Sequence, residues 1–325
     1  MKESTPPKKE KLLRILVCIL AIAAVLTAFT YMLFEIVTDS NATKRLLIEA
    51  FLETNRDAIA TTATANETQK PTPAVTEEPA YRELAAADLS VKTPTIENAT
   101  SYAIDTDTLL TYQFSKHLFD TKPMILIYHS DPTASYAPQG QICVPSDCLF
   151  QSSSDNLITV GNAITDVLSS AGIASIHLTE PISDVTKILE SYRNTYPSIR
   201  YCLDIRRDGI YTTDGRIVKS AGMIDKSPAA QLMLCVGTDM ENKSLNWQKN
   251  LAAAYRLSDM MTKAAPSLIR PILLRPETLG QQSEIPHLTL FVGTTGNTLT
   301  EAATSARFFA RYLALFILSN CGVDG

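Results

Sequence analysis

From residue 124 onward, short apolar runs alternate with stretches of helical periodicity, and this alternation limits the fold more than any other feature. Residues 124–129 (MILIYH), 174–178 (ASIHL), 200–205 (RYCLDI), 230–238 (AQLMLCVGT), 271–275 (PILLR) and 287–293 (HLTLFVG) read as strands. Residues 156–171, 184–197, 246–265 and 298–318 read as helices, the first closed by Gly172 and the second by Pro197. Asp214-Gly215 marks a hairpin. Strands that are apolar almost throughout are buried on both faces. The expected fold class is therefore α/β, a mainly parallel sheet with helices on both faces. Such sheets bind ligands beyond the carboxyl ends of their strands. Those ends carry His129, the Arg206-Arg207-Asp208 run, Thr238-Asp239, Arg275 and Gly293.

The chain upstream is different in kind. All 12 glycines lie from Gly140 onward, and a compact domain needs glycine in its tight turns. Residues 15–34 are a run of 20 without a charge. At the rise of a helix that run crosses a hydrocarbon core of about 30 Å. Lys8, Lys9, Lys11 and Arg14 precede it, so the positive-inside rule keeps the N-terminus cytoplasmic and everything after the span outside. A cleaved signal peptide is the rival reading. Its apolar region is shorter and ends in small residues, whereas this run ends in Tyr31, Met32, Leu33 and Phe34.

The expected organisation is a basic tail (1–14), a transmembrane helix (15–37), a juxtamembrane helix with a low-complexity stalk (38–119), a folded domain (120–319) and a short tail (320–325). The stalk rests on a Thr-, Ala- and Glu-rich composition that buries too little to offset chain entropy. The net charge of −5 offers no electrostatic footprint for nucleic acid, and none is expected as a partner.

Local chemistry is sparse. The chain has no nucleophile elbow, P-loop or dinucleotide fingerprint, and its four histidines (117, 129, 177 and 287) show no H-E-x-x-H spacing. His129 ends the first strand, where a polar residue satisfied at a strand terminus is the ordinary explanation. Asp204 and Asp208 flank two arginines and read as their ion-pair partners. Cys202 and Cys235 lie in apolar runs and read as small core residues. Cys143 and Cys148 raise a disulfide question that a lone C-x4-C does not answer.

Four segments resemble one family in sequence and order: 124–136 (MILIYHSDPTASY), 196–209 (YPSIRYCLDIRRDG), 230–251 (AQLMLCVGTDMENKSLNWQKNL) and 275–302 (RPETLGQQSEIPHLTLFVGTTGNTLTEA). Together with an anchor and a stalk, they resemble the stage II sporulation protein P family. That resemblance implies a fold like the zinc-dependent N-acetylmuramoyl-L-alanine amidases. It implies peptidoglycan as substrate in septal wall thinning and engulfment, and stage II sporulation proteins of the D and M type as partners. The family's zinc ligands would be a His ending the first strand, a Glu five positions later and a His in Asp-x-His-Arg-Asp. A Glu in Ile-Glu-x-Gly would move the proton.

Carried over one by one, those roles mostly fail. His129 is the surviving ligand; the other positions hold Ala134, Arg206 and Phe291, and the segment after His177 is shorter than the family pattern. Beside a divalent ion at ~4 Å and an effective dielectric of ~20, a guanidinium is opposed by roughly 8 kcal/mol. The expectation is a degenerate member without a cofactor, acting by binding wall material or partners. Arg206, Arg207, Asp208, Arg275 and Gln281 are the candidate anion or substrate contacts. The alternative is an active zinc amidase with recruited ligands, His129 with Asp131 and His177 or Asp208.

Overall fold

The computed structural model describes residues 81–83, 93–137, 155–213, 217–241 and 246–321. All of them belong to the compact unit Asp57–Gly325. The expected transmembrane helix, the basic tail, most of the stalk and the Cys143/Cys148 pair lie outside the described residues. Among the described residues no helix is long and apolar enough to cross a membrane.

Seven strands form the main sheet. In chain order they are β2 (Ile96–Asn98), β3 (Ile125–Tyr128), β4 (Ser175–His177), β5 (Tyr201–Asp208), β9 (Leu232–Gly237), β10 (Ile272–Arg275) and β11 (His287–Thr294). Their order across the sheet is β2-β10-β9-β11-β5-β3-β4. Every neighbouring pair is parallel except β9 and β11, which run antiparallel. The sheet is thus mostly parallel, as the apolar runs imply, but it consists of two parallel blocks facing opposite ways. Two smaller pairings stand beside it: β1 (Tyr81–Glu83) with β6 (Ile217–Lys219), and the hairpin β7 (Ala221–Ile224) with β8 (Ser227–Ala230).

Four of the helices are long. They are α2 (Leu157–Ser170), α3 (Val185–Thr195), α4 (Trp247–Ala264) and α5 (Leu299–Asn320), after the short α1 (Thr106–Thr111). The start of α2 is fixed by Asn156, whose side chain accepts from the Ile158 and Thr159 amides. Its end is marked by Gly172 at φ 75°, a left-handed conformation open to glycine. Thr298 and Glu301 form a reciprocal capping box at the start of α5, an arrangement whose loss costs about 1 kcal/mol. Asn246, by contrast, makes no side-chain cap on α4 and instead donates to Gln282 O at 2.7 Å.

Alternation along the strands sorts the sheet into two faces. Leu126, Tyr128 and Cys202 pack with Leu189 of α3, Ile199 and Ile285. His129 lies against Gly161 of α2. Helices α2 and α3 therefore lie on opposite faces of the sheet.

Two expectations are revised here. Residues 96–98, assigned by composition to the stalk, form a strand of the main sheet, and α1 follows. This segment is held by a few apolar anchors, Leu109 in the core and Tyr102 stacked on Trp247 with centroids 4.7 Å apart. The strand expected to run from residue 230 is broken at Gln231, whose amide donates to Ser220 O and whose side chain donates to Ser267 O. The preceding residues belong to a hairpin that turns at Asp225, a non-glycine residue at φ 53°.

Candidate functional site

His129 follows β3 and His177 ends β4, its parallel neighbour. His177 is in register with Ile127, two residues before His129, so both imidazoles emerge on the same face. Their Nε2 atoms lie 2.7 Å apart. His129 is fully buried and its Nδ1 is 3.3 Å from Ile205 O. A carbonyl oxygen only accepts, so that Nδ1 carries the ring proton and Nε2 presents a lone pair. On the other ring, His177 Nδ1 is 3.1 Å from Oδ1 of the exposed Asn162. Burial, and then the His177 ring, push the His129 pKa down to about 3. Burial also lowers that of His177. Both rings are neutral near pH 7.

Gly161 makes room for them. A Cβ there would stand 2.4 Å from His177 Nε2 and 2.9 Å from His129 Nε2. The sequence reading named His177 as a recruited ligand but missed Gly161 and Asn162. Their signal is a glycine inside a helix, where it costs about 1 kcal/mol relative to alanine.

Arg206 faces the other way. Its Nε donates to Asp204 Oδ2 at 2.6 Å, and Asp204 also accepts from the Ser130 amide (3.2 Å) and the Ser130 hydroxyl (2.9 Å). Asp204 is in register with Tyr128, on the face opposite His129. Burial raises the Asp204 carboxyl above its ordinary pKa, with Arg206 and Ser130 pulling against that rise. Phe291 is the register partner of Arg206 across β5 and β11. The sequence reading thus joined positions that the sheet separates: 206 and 291 share one face and His129 lies on the other. Placing Arg206 next to an ion held by His129 is corrected accordingly. Ala134 is buried in the turn after β3, where its carbonyl accepts from the Leu157 amide.

The remaining candidates do not converge. Arg207 donates to Ser135 O, while its Nε is buried without a hydrogen-bond partner among the described residues. Asp208 accepts from Arg270 Nη1 at 2.8 Å. Asp131 accepts from the Thr133 hydroxyl at 2.9 Å. Arg275 and Thr238-Asp239 end strands of the reversed block, so they lie at the opposite edge of the sheet from His129. Gln281 is a buried structural residue: Oε1 accepts from the Gly237 amide, and Nε2 donates to Cys235 O and the Thr289 hydroxyl. It is corrected from a ligand contact to a tie between strands.

The zinc implied by the resemblance does not fit the family's positions in this chain. Ala134 has no donor atom, Arg206 is bound to Asp204 on the far face, and Phe291 holds the place of the proton-moving carboxylate. Among the described residues no group of three or more His, Cys, Asp or Glu side chains is arranged to hold a metal ion.

No curated protein matches the chain. Among solved structures, it is similar to N-acetylmuramoyl-L-alanine amidase AmiC2 of Nostoc punctiforme (11% identity, 61% of this chain and 94% of that one, TM-score 0.34). It is also similar to the N-acetylmuramyl-L-alanine amidase Ami1 from Mycobacterium abscessus (14%, 61% and 98%, TM-score 0.35). A third is an N-acetylmuramoyl-L-alanine amidase from Clostridium difficile 630 (11%, 61% and 95%, TM-score 0.34). The Stage II sporulation protein P (SpoIIP) family matches residues 31–314, nearly the whole chain. That span takes in every segment on which the resemblance was first read, and the chain belongs to the Stage II sporulation protein P family.

Proposed function

We propose that this chain is a single-pass membrane protein of sporulation whose extracytoplasmic domain binds cell-wall material without cutting it. Other stage II sporulation proteins, of the D and M type, are its proposed partners in engulfment. The observation that carries this reading is the Arg206–Asp204 ion pair. It occupies a family ligand position with a cation tied down at 2.6 Å, on the face away from His129. The Arg206 side chain is 27% exposed, and Asp204 is bonded to its Nε. A peptide carboxylate of the wall is the chemistry it fits, because guanidinium and carboxylate pair through parallel hydrogen bonds. Phe291 beside it offers an apolar surface and no proton-moving group.

The test is release of soluble fragments from purified peptidoglycan with zinc supplied, alongside co-sedimentation with the same material. Binding without release is expected, and an Arg206→Gln variant should bind more weakly. The second reading, an active amidase with recruited ligands, is favoured by the contact between His129 and His177. Zinc-dependent release that disappears in a His129→Ala variant would establish it and overturn the first. The anchor is tested separately: external protease should remove the domain from intact protoplasts, and survival of the domain would reject an N-in, C-out topology.

A further inference from the structure

We propose that the edge of the domain where β3, β4 and β5 begin lies on the surface of an anionic lipid bilayer, through Leu118 and Phe119 with Lys116, Lys122 and Arg200 around them. The choice of a bilayer over an acidic protein rests on the membrane-anchored reading above, and the test separates the two.

Residues 117–122 run beneath the first residues of these strands. His117 Nε2 is 2.8 Å from the Tyr201 hydroxyl at the start of β5. Phe119 lies over Gly172, shortly before β4, where a Cβ would stand 3.7 Å from the ring Cζ. Between these two points the chain leaves Leu118 57% and Phe119 45% exposed. Leu118 is the most exposed large apolar side chain among the described residues, and its neighbour makes the exposure contiguous rather than scattered. The exposed Tyr196 follows α3 in the turn that leads to β5. That turn is brought to the same segment by the Ser198 hydroxyl, which donates to Pro123 O at 2.8 Å.

The charge around the apolar pair is basic, although the whole chain carries −5. Burial first, and then the Arg200 and Lys116 charges, lower the His117 pKa, which places both cations beside that ring. Lys116 Nζ donates to Ser319 O at 2.9 Å and Arg200 Nη1 to Pro197 O, so both bond to carbonyls and neither is tied to a carboxylate among the described residues. Lys122 is exposed, and Asp120, the carboxylate of the segment, accepts from its amide at 2.9 Å. Leucine, phenylalanine and tyrosine at the acyl boundary, with lysine and arginine reaching to the headgroups, is the chemistry of interfacial binding. Each such cation near an anionic surface favours the bound form by about fivefold.

The contact also orients the domain. From Tyr201 to Arg206 along β5 is a rise of roughly 17 Å. With the first end on the bilayer, Arg206, the wall contact proposed above, stands at the end turned away from it. Residues 38–80 extend to roughly 150 Å at most, so the tether permits this orientation.

The test uses the full chain reconstituted with vesicles of phosphatidylcholine, alone or mixed with phosphatidylglycerol, the acyl chains brominated or not. Trp247 is the chain's single tryptophan and is buried, and Phe119→Trp adds a second at the proposed contact. In the anionic vesicles the added emission should shift to the blue and be lost to brominated acyl chains, while wild-type emission stays unchanged. Lys116→Gln, Lys122→Gln and Arg200→Gln should each lower the ratio of docked to free domain by about fivefold, read as recovery of that emission. All of these positions are exposed, so folding is not at stake. Emission from Phe119→Trp that bromine leaves unquenched in anionic vesicles would overturn the proposal and leave the face to an acidic protein. Equal quenching in neutral vesicles would overturn the role of the cations. Flotation with the vesicles reads the anchor separately. A chain that floats with both lipids but is not quenched retains the anchor and loses this contact. One that floats and is quenched with the anionic lipid alone loses the anchor and retains the contact, and one that floats with neither loses both.

Discussion

Gly161 on α2 and His177 at the end of β4 are so close that one methyl group on the glycine would stand 2.4 Å from the imidazole Nε2. Helix propensity alone favours alanine here by about 1 kcal/mol. The clash should outweigh that gain, and Gly161→Ala is expected to lower stability by about 1–3 kcal/mol in thermal or denaturant unfolding. Adding His177→Ala removes the ring and should recover most of the loss. A double variant no more stable than Gly161→Ala would show that the methyl group meets something else.

The Asp204–Arg206 pair carries a pH signature. The folded-state pKa of Asp204 is raised, chiefly by burial, so the folded state holds its proton more tightly than the unfolded one. Its contribution to stability is therefore lost as pH rises from about 3.9, the unfolded value, through the folded pKa. Asp204→Asn should gain stability relative to wild type over that interval. Arg206→Leu removes the cation that opposes the shift and should steepen the loss. Denaturant midpoints between pH 3.5 and 7, values chosen to bracket the carboxylate range, would measure both. Parallel curves for wild type and Asp204→Asn would contradict it.

His287 acts with the opposite sign. It is fully buried, its Nε2 is 3.0 Å from the Tyr128 hydroxyl, and its Nδ1 has no hydrogen-bond partner among the described residues. Burial, with the Arg206 charge second, pushes its pKa down to about 3. The unfolded chain accepts the proton near pH 6.5, so stability is full above that value and falls as pH drops toward the folded pKa. At pH 5 the loss from one such group is about 2 kcal/mol. A His287→Gln variant should lack that portion of the acid slope, as read from unfolding midpoints at pH 7 and pH 5. An unchanged slope would mean that the ring titrates normally.

Restoring the family's residues should not restore chemistry. In Ala134→Glu/Arg206→His/Phe291→Glu, positions 206 and 291 would still present their side chains on the face opposite His129. No zinc-dependent fragment release is expected from this triple variant. Release above the single-variant background would show that the sheet end rearranges to bring both faces together.

The uninterrupted apolar runs made the strands legible, because β3 and β9 are buried along their whole length. Strand direction was not, since burial on both faces gives β9 the same apolar pattern whichever way it runs. That is why Arg275 and Gln281 were grouped with a site at the other edge. The hairpin before β9 was hidden because its turn uses Asp225 rather than glycine. At the site, spacing identified His129 and Arg206 but not their faces. Adjacent positions alternate, and one residue of offset sends a side chain to the opposite layer. The pairing of His129 with His177 needed the adjacency of β3 and β4, a tertiary fact.

Strand β11 lies between β5 and β9, and its residues follow those of the other six strands of the main sheet in the chain. Until they emerge, a growing chain can build two three-stranded fragments but not join them. The apolar edges of β5 and β9 stay unpaired, the condition in which nascent β structure seeks wrong partners. Assembly of the domain is thus a late, single closure that depends on the arrival of one segment, and a chain stopped short of residue 294 has two unjoined halves.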